Sequence, residues 1–299
     1  MQERNFKELF GAKQAQKKFV CIGIDPDLSK IPERFRSGSV EDVLVQFCYH
    51  IIHKSEQKAG AYKLNLAFFL VHGSRGIRAL ERVMDFLHTE APSVPVIIDS
   101  KMGDIGNSSA AYAHGVFDTF KADAVTLNPY LGHEALKSFL DREDKGTFIL
   151  CHTSNPGASE FQELNIDVTK EVFEQICHAQ PALRERIVLA KSIPLFHYVA
   201  WKISERGTWN KHSNCGLVVG ATYPNQLENV RSIVGDHVSF LIPGVGAQGG
   251  DLEKSVTAGR NSAREMFLVN SSREIIYADD PGIAASALDD QITAIQGAN

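Results

Sequence analysis

Asp99, Lys101 and Asp104 fall within one six-residue run, and two carboxylates flanking an ammonium can fix charge or move a proton. The stretch before them, Val94-Pro95-Val96-Ile97-Ile98, is apolar and β-branched, as a fully buried parallel strand is. Residues two apart on a strand project from one face, so Asp99 and Lys101 are expected side by side. Asp104 lies past the strand end, free to turn toward a neighbouring site. Burying such charges is costly unless they pair. A purely structural ion-pair network is the alternative, and the rest of the chain weighs against it.

The elements that must position these groups recur along the whole chain. Strand candidates at 19–25, 61–69, 94–101, 122–129, 146–154, 215–222, 239–246 and 266–272 alternate with helical patterns at 40–58, 77–89, 110–120, 133–142, 226–234 and 284–295. Eight strand–helix units in 299 residues predict an α/β fold, a closed (β/α)8 TIM barrel, with an open doubly wound sheet as the alternative. No linker or low-complexity segment divides the chain, so residues 1–299 are expected to form one domain. The unit after strand 5 is oversized. Residues 154–215 predict a helical insertion at approximately 155–207, with helices at 168–180 and 187–206 separated near Pro181. Insertions after a barrel strand sit at the C-terminal face, although peripheral decoration is the expected role here.

Polar residues gather at the predicted strand ends, where barrels keep their chemistry. Strand 1 ends in Asp25-Pro26-Asp27, and strand 2 carries Lys63 and Asn65 on one face with Tyr62, Leu64 and Leu66 on the other. Strand 5 ends in Thr153-Ser154-Asn155. Strand 7 runs into Pro243-Gly244-Val245-Gly246-Ala247-Gln248-Gly249-Gly250, and strand 8 into Ser271-Ser272-Arg273. The last two suit a phosphate: glycines let backbone N–H groups approach an anion, and a guanidinium forks onto its oxygens.

Lys63 followed by Asp99-x-Lys101-x-x-Asp104 resembles the Lys-Asp-Lys-Asp tetrad of the orotidine 5′-phosphate decarboxylases. The likeness extends to the glycine-rich 243–250 segment and Arg273, and covers residues 22–277. The length, Gly220-Ala221-Thr222-Tyr223-Pro224-Asn225 and the enlarged fifth unit are similar to the longer bacterial (type 2) subfamily. The resemblance implies a cofactor-free, metal-free enzyme converting orotidine 5′-phosphate to UMP in de novo pyrimidine biosynthesis. It implies that Asp25 and Lys63 bind ribose hydroxyls, that Lys63 braces Asp99, and that Lys101 donates a proton to C6 of the pyrimidine. Ser154 would contact the pyrimidine, and Gln248, Gly249 and Arg273 the phosphate. Asp104, Ile105 and Ser108 would reach the site of a second subunit, making a homodimer with shared sites. The chain departs from the pattern at Ser272, where many members have glycine, and at Ser108, where threonine is usual.

The chemistry fits those residue types. Loss of CO2 leaves an electron pair in an sp2 orbital at C6 that ring resonance cannot absorb, and a fixed ammonium stabilises it and then supplies the proton. A carboxylate such as Asp99 beside the substrate carboxylate adds a repulsion that vanishes on CO2 loss, on the order of 5 kcal/mol at ~3 Å and an effective dielectric of ~20. Two other readings remain: a metal-dependent sugar-phosphate decarboxylase or aldolase of the same suprafamily, and a non-catalytic nucleotide-binding barrel. The former carry an acidic metal ligand near the position of Lys63, and pure binding needs no lysine held between acids.

A net charge of −5 gives no basic footprint for nucleic acid, and no stretch approaches the length of a membrane helix. The N-terminal residues lack the apolar core of a secretory signal, and the 5 cysteines are scattered without a CxxC pair. A cytoplasmic protein with reduced, mostly buried thiols is expected. His72, His114, His133, His152 and His197 lack metal-ligand spacing. Cys151 reads as core, Asp279-Asp280-Pro281 as a helix start, and Trp201 and Trp209 as packing of the insertion onto the barrel. Lys170, Lys191 and Lys202 read as solvated faces.

Overall fold

The computed structural model describes residues 4–179, 192–205, 207–246 and 249–298. Its strands are β1 (Val20–Ile24), β2 (Ala59–Asn65), β3 (Val96–Met102), β4 (Ala124–Leu127), β5 (Gly146–His152), β6 (Asn165–Asp167), β7 (Ser192–Pro194), β8 (Cys215–Val219), β9 (Ser239–Pro243) and β10 (Phe267–Ser271). β1 to β5 and β8 to β10 form a closed parallel barrel in chain order, with β10 pairing back onto β1. The expected eight-stranded α/β barrel is therefore present. Val, Ile and Leu dominate its outward positions, which pack under the surrounding helices in one large buried cluster.

The barrel interior is layered. Cys21, Ala61, Ile97, Ala124, Phe148, Val218, Leu241 and Leu268, one from each barrel strand, form a second buried cluster with Phe6 and Phe10. Both phenylalanines belong to an N-terminal helix, Phe6–Ala15, whose Phe6 ring meets Phe148 edge-on with centroids 5.8 Å apart. This apolar plug closes the lower end and bars water from the barrel axis. Side chains alternate, so the residues two further along face the open end. There the layer turns polar: Lys63, Asp99, Thr126 and Asn270 join Leu150 and Pro243 on the wall of one cavity.

Several expected boundaries shift for local reasons. The second strand stops at Asn65 rather than 69, because the Asn65 side chain accepts a hydrogen bond from Ala67 N (3.2 Å) and the chain turns into a short helix, Ala67–Leu70. The seventh barrel strand ends at Pro243, before Gly244 and Gly246 take positive φ values of 96° and 78°. The helix of pattern 110–120 begins earlier, at Gly106, and its last part is the wider turn Gly115–Thr119. In the insertion, Lys170–Ala179 is helical as expected, but the expected helix 187–206 is not continuous over its described part: Ser192–Pro194 pairs antiparallel with Asn165–Asp167, and a helix follows at Leu195–Ser204. The break expected near Pro181, and Lys191, lie outside the described residues.

Cys21, Cys48, Cys151 and Cys215 are buried and unpaired, and Asp280 caps the final helix Pro281–Gly297 by accepting from Gly282 N and Ile283 N. Trp201 joins the buried cluster and Trp209 packs against it. Lys170 is exposed, but Lys202 departs from the expected solvated face. Its ammonium lies 4.3 Å from the Trp201 ring centroid and pairs with Glu205 at 3.3 Å.

Candidate active site

The cavity at the C-terminal mouth has a volume of about 630 Å³, and its charged floor is organised around Asp99. Asp99 Oδ2 accepts from Lys63 Nζ at 2.8 Å, while Oδ1 accepts from Lys101 Nζ at 2.6 Å and Thr126 Oγ1 at 2.8 Å. Burial alone would raise the Asp99 carboxyl, but the Lys63 and Lys101 charges outweigh it and hold it far below the usual carboxylate range. Burial likewise opposes charge on Lys63, and the Asp99 and Asp25 carboxylates overcome that and raise it. Nearby Cys21 is inert as a nucleophile, with burial pushing its thiol up to about 12.

Lys101 reaches Asp99 by a route that strand alternation does not describe. Its φ is +51°, a left-handed conformation unusual outside glycine, and the β3–β4 register breaks between Ile98 and Met102. Thr126 Oγ1 accepts from the backbone N–H of both Ser100 (3.1 Å) and Lys101 (3.0 Å) while donating to Asp99. One hydroxyl thus fixes the bulged strand and the carboxylate together. Lys63 is almost wholly buried, whereas half of the Lys101 side chain is open to the cavity. The sequence reading missed Thr126. Its signal was a hydroxyl in the otherwise apolar run 124–127, two residues beyond the inward-facing Ala124.

Asp25 stands across from this group, with Oδ1 4.0 Å from Lys63 Nζ and no hydrogen-bond partner. Its turn is held by Tyr277, whose hydroxyl donates to Asp25 O (3.0 Å) and accepts from Asp27 N (2.7 Å). Arg273 heads the short helix Arg273–Ile276, and it lines the cavity with Ser154, Gly244 and Val245. The glycine turn is stitched by Gly250 N donating to Gly244 O at 3.0 Å, a path that needs the positive φ of Gly244, Gly246 and Gly249. Ser272 turns its hydroxyl over Gly23, where a Cβ would approach it to 1.9 Å.

A sequence profile described as the Orotidine 5'-phosphate decarboxylase / HUMPS family matches residues 18–288. An orotidine 5′-phosphate decarboxylase of Janthinobacterium sp. (strain Marseille) is 38% identical over 91% of this chain and 89% of its own length. That of Cellvibrio japonicus is 37% identical over 94% of each. The chain belongs to the orotidine 5′-phosphate decarboxylase family. The solved structure of Leishmania donovani OMP decarboxylase superposes with a TM-score of 0.80 at 32% identity, over 99% of this chain and 100% of that one. A Leishmania donovani UMP synthase structure gives 0.82 at 33% identity, with the match spanning 99% of this chain but 57% of that longer one.

Of the residues that the decarboxylase resemblance marked, Lys63, Asp99, Lys101, Asp25, Ser154 and Arg273 line this one cavity. Asp104 does not join them: it turns back to accept from Ile105 N at 2.8 Å and forms no ion pair among the described residues. Ile105 and Ser108 are exposed at the start of the helix Gly106–His114 and stand off the cavity wall. Gly249 is exposed and also off the wall, and Gln248 lies outside the described residues.

The buried charge pair sets a stability prediction. Asp99→Ala strands the Lys63 ammonium, and loss of one partner of a buried pair costs about 3–5 kcal/mol. A carboxyl depressed by folding contributes stability above its unfolded value, and that contribution decays as pH falls toward the folded value. The gap between wild type and Asp99→Ala in urea unfolding should hold from pH 8 to 5 and narrow below about pH 4. A gap unchanged down to pH 3, or a variant as stable as wild type at pH 7, would contradict the pairing.

Proposed function

We propose that the cavity binds orotidine 5′-phosphate and breaks its C6–carboxylate bond with Lys101 as the acid. The observation that carries this reading is the Lys101–Asp99 contact of 2.6 Å at the cavity wall, with Lys101 half open beside a buried anion. The bonding pair stays on C6 as CO2 departs. Lys101 Nζ then gives C6 a proton and recovers one from water. Asp99, fixed as an anion, repels the substrate carboxylate but not CO2, and it keeps the ammonium charged and aimed. Carbanion stabilisation by the ammonium is the main term.

The remaining wall suits the rest of the nucleotide. The unpartnered Asp25 Oδ1 and the neighbouring Lys63 Nζ offer an acceptor and a donor for ribose hydroxyls, and Ser154 faces the base. Arg273, with Gln248 and Gly249 of the glycine turn, takes the phosphate. The Asp25 and Asp99 carboxylates already share Lys63, which opposes a divalent cation between them. This supports chemistry without a metal or organic cofactor.

The active unit in this reading is a homodimer. Ile105 and Ser108 are exposed close after Asp104, and Ile105 (60% exposed) and Tyr112 (44%) leave apolar surface on the same segment. In a dimer Asp104, Ile105 and Ser108 reach the partner's substrate. Residues 1–299 act as one barrel domain with an insertion at approximately 155–207, and the four buried unpaired cysteines fit a reducing cytoplasm.

Incubation with orotidine 5′-phosphate in the presence of EDTA should change the pyrimidine absorbance, and Lys101→Ala should lose at least about a thousandfold in kcat while still binding UMP. Retention of a tenth of wild-type kcat would remove Lys101 from this role. The shared site is tested by mixing inactive Lys101→Ala and Asp104→Ala chains. After subunit exchange about half of the dimers are mixed, each with one intact site, so about a quarter of wild-type activity should return. No recovery after verified exchange would mean that Asp104 serves its own chain.

A further inference from the structure

Gln162 joins the insertion to the turn at the end of β5. Its Oε1 accepts from Thr153 N at 2.8 Å, and its Nε2 donates to Thr153 Oγ1 at 2.9 Å. The backbone N–H can only donate, so the amide orientation is fixed. Thr153 Oγ1 in turn donates to Asn155 Oδ1 at 2.7 Å. Thr153 thus donates its N–H to Gln162 and accepts from it at Oγ1, and the hydroxyl passes on to Asn155, so the links flank Ser154 on both sides. Gln162, Thr153, Ser154 and Asn155 all line the cavity.

The far end of Gln162 is anchored in the insertion. Its carbonyl accepts from Phe196 N at 2.9 Å, at the start of the helix Leu195–Ser204, and the Leu164 carbonyl accepts from Leu195 N at 2.9 Å. Cys151 Sγ donates to Phe196 O at 3.3 Å, tying the same helix to β5. On the opposite side, β8 runs so close that a Cβ on Gly220 would lie 2.7 Å from Ser154 Cα. The turn is thus clamped between the barrel and a side chain that the insertion supplies.

We propose that Gln162 is a positioning residue that sets Ser154 against the pyrimidine, so that the insertion governs recognition of the base rather than decorating the barrel. The inference rests on the reading of Ser154 as the base contact. Gln162 touches no reacting atom; it acts through Thr153 and the turn. Gln162→Met keeps the length and removes both hydrogen bonds, whereas Gln162→Glu keeps the acceptor for Thr153 N–H.

The test is a titration of UMP against ribose 5-phosphate, which shares the sugar phosphate but has no base. Gln162→Met should weaken UMP about tenfold, the scale of a lost pair of neutral hydrogen bonds, and leave ribose 5-phosphate within about twofold. KM for orotidine 5′-phosphate should rise with kcat held within about threefold, and Gln162→Glu should restore most UMP affinity. Equal losses on both probes, or no loss, would overturn the proposal. Ser154→Ala is the control for the underlying reading. If it leaves UMP binding intact, Ser154 is not the base contact and both fall. If it weakens UMP alone while Gln162→Met does not, only the Gln162 proposal falls. Should Gln162→Met fail to fold, Thr153→Val removes the Oγ1 links while leaving Thr153 N–H on Gln162, and must give a smaller loss that is still selective for the base.

Discussion

Asp99 stays ionised at the floor of this cavity because two ammoniums and a hydroxyl surround its oxygens at 2.6 to 2.8 Å. Without them a buried carboxyl would take up a proton, and an uncharged Asp99 could neither hold Lys101 nor repel a second carboxylate. The barrel supplies these partners from three adjacent strands, in parallel register with Asn65 opposite Asp99. Asp99 and two of its partners lie two residues beyond an apolar residue of the floor: Asp99 beyond Ile97, Lys63 beyond Ala61 and Thr126 beyond Ala124, while Lys101 follows on the bulged end of its own strand. The phenylalanine plug packs beneath that floor, and an apolar surrounding strengthens the charge interactions above it. A polar constellation of this kind is stable only as a complete set, since a half-satisfied network is worse than an apolar one.

In the proposed reading the two ends of the cavity do different work. Lys101 and Asp99 sit on rigid strands, where geometry is fixed before a ligand arrives, as preorganised catalysis requires. The glycine turn follows β9, and Arg273 heads the short helix that follows β10, the usual place for a phosphate in this fold. Binding energy from a remote dianion can then be used to hold the reacting ring in place. Between them, the turn around Ser154 is braced by Gln162 rather than by the barrel alone.

Much of this was legible in the residues. Apolar β-branched runs located the strands, the two-residue period put Lys63 and Asn65 on one face, and the order of motifs matched a known tetrad. The left-handed backbone at Lys101 was not legible, because it is set by hydrogen bonds to Thr126 from a neighbouring strand rather than by local preference. The N-terminal helix went unread although Phe6 and Phe10 stand four apart, since its face becomes meaningful only against the barrel floor. The ribbon of Asn165–Asp167 and Ser192–Pro194 is too short to carry a period. Asp104, prominent in the motif, finds no ionic partner among the described residues of its own chain. A single sequence does not say which chain completes a site.

If Lys101 protonates an anion at C6, the reverse direction shows it without CO2. By microscopic reversibility the group that protonates C6 also removes that proton from the product. In D2O, wild-type protein should replace the C6 hydrogen of UMP with deuterium, seen as loss of its proton NMR signal, and Lys101→Ala should leave the signal at the solvent background. Exchange that proceeds undiminished in Lys101→Ala, or no exchange above background in the wild type, would contradict the account.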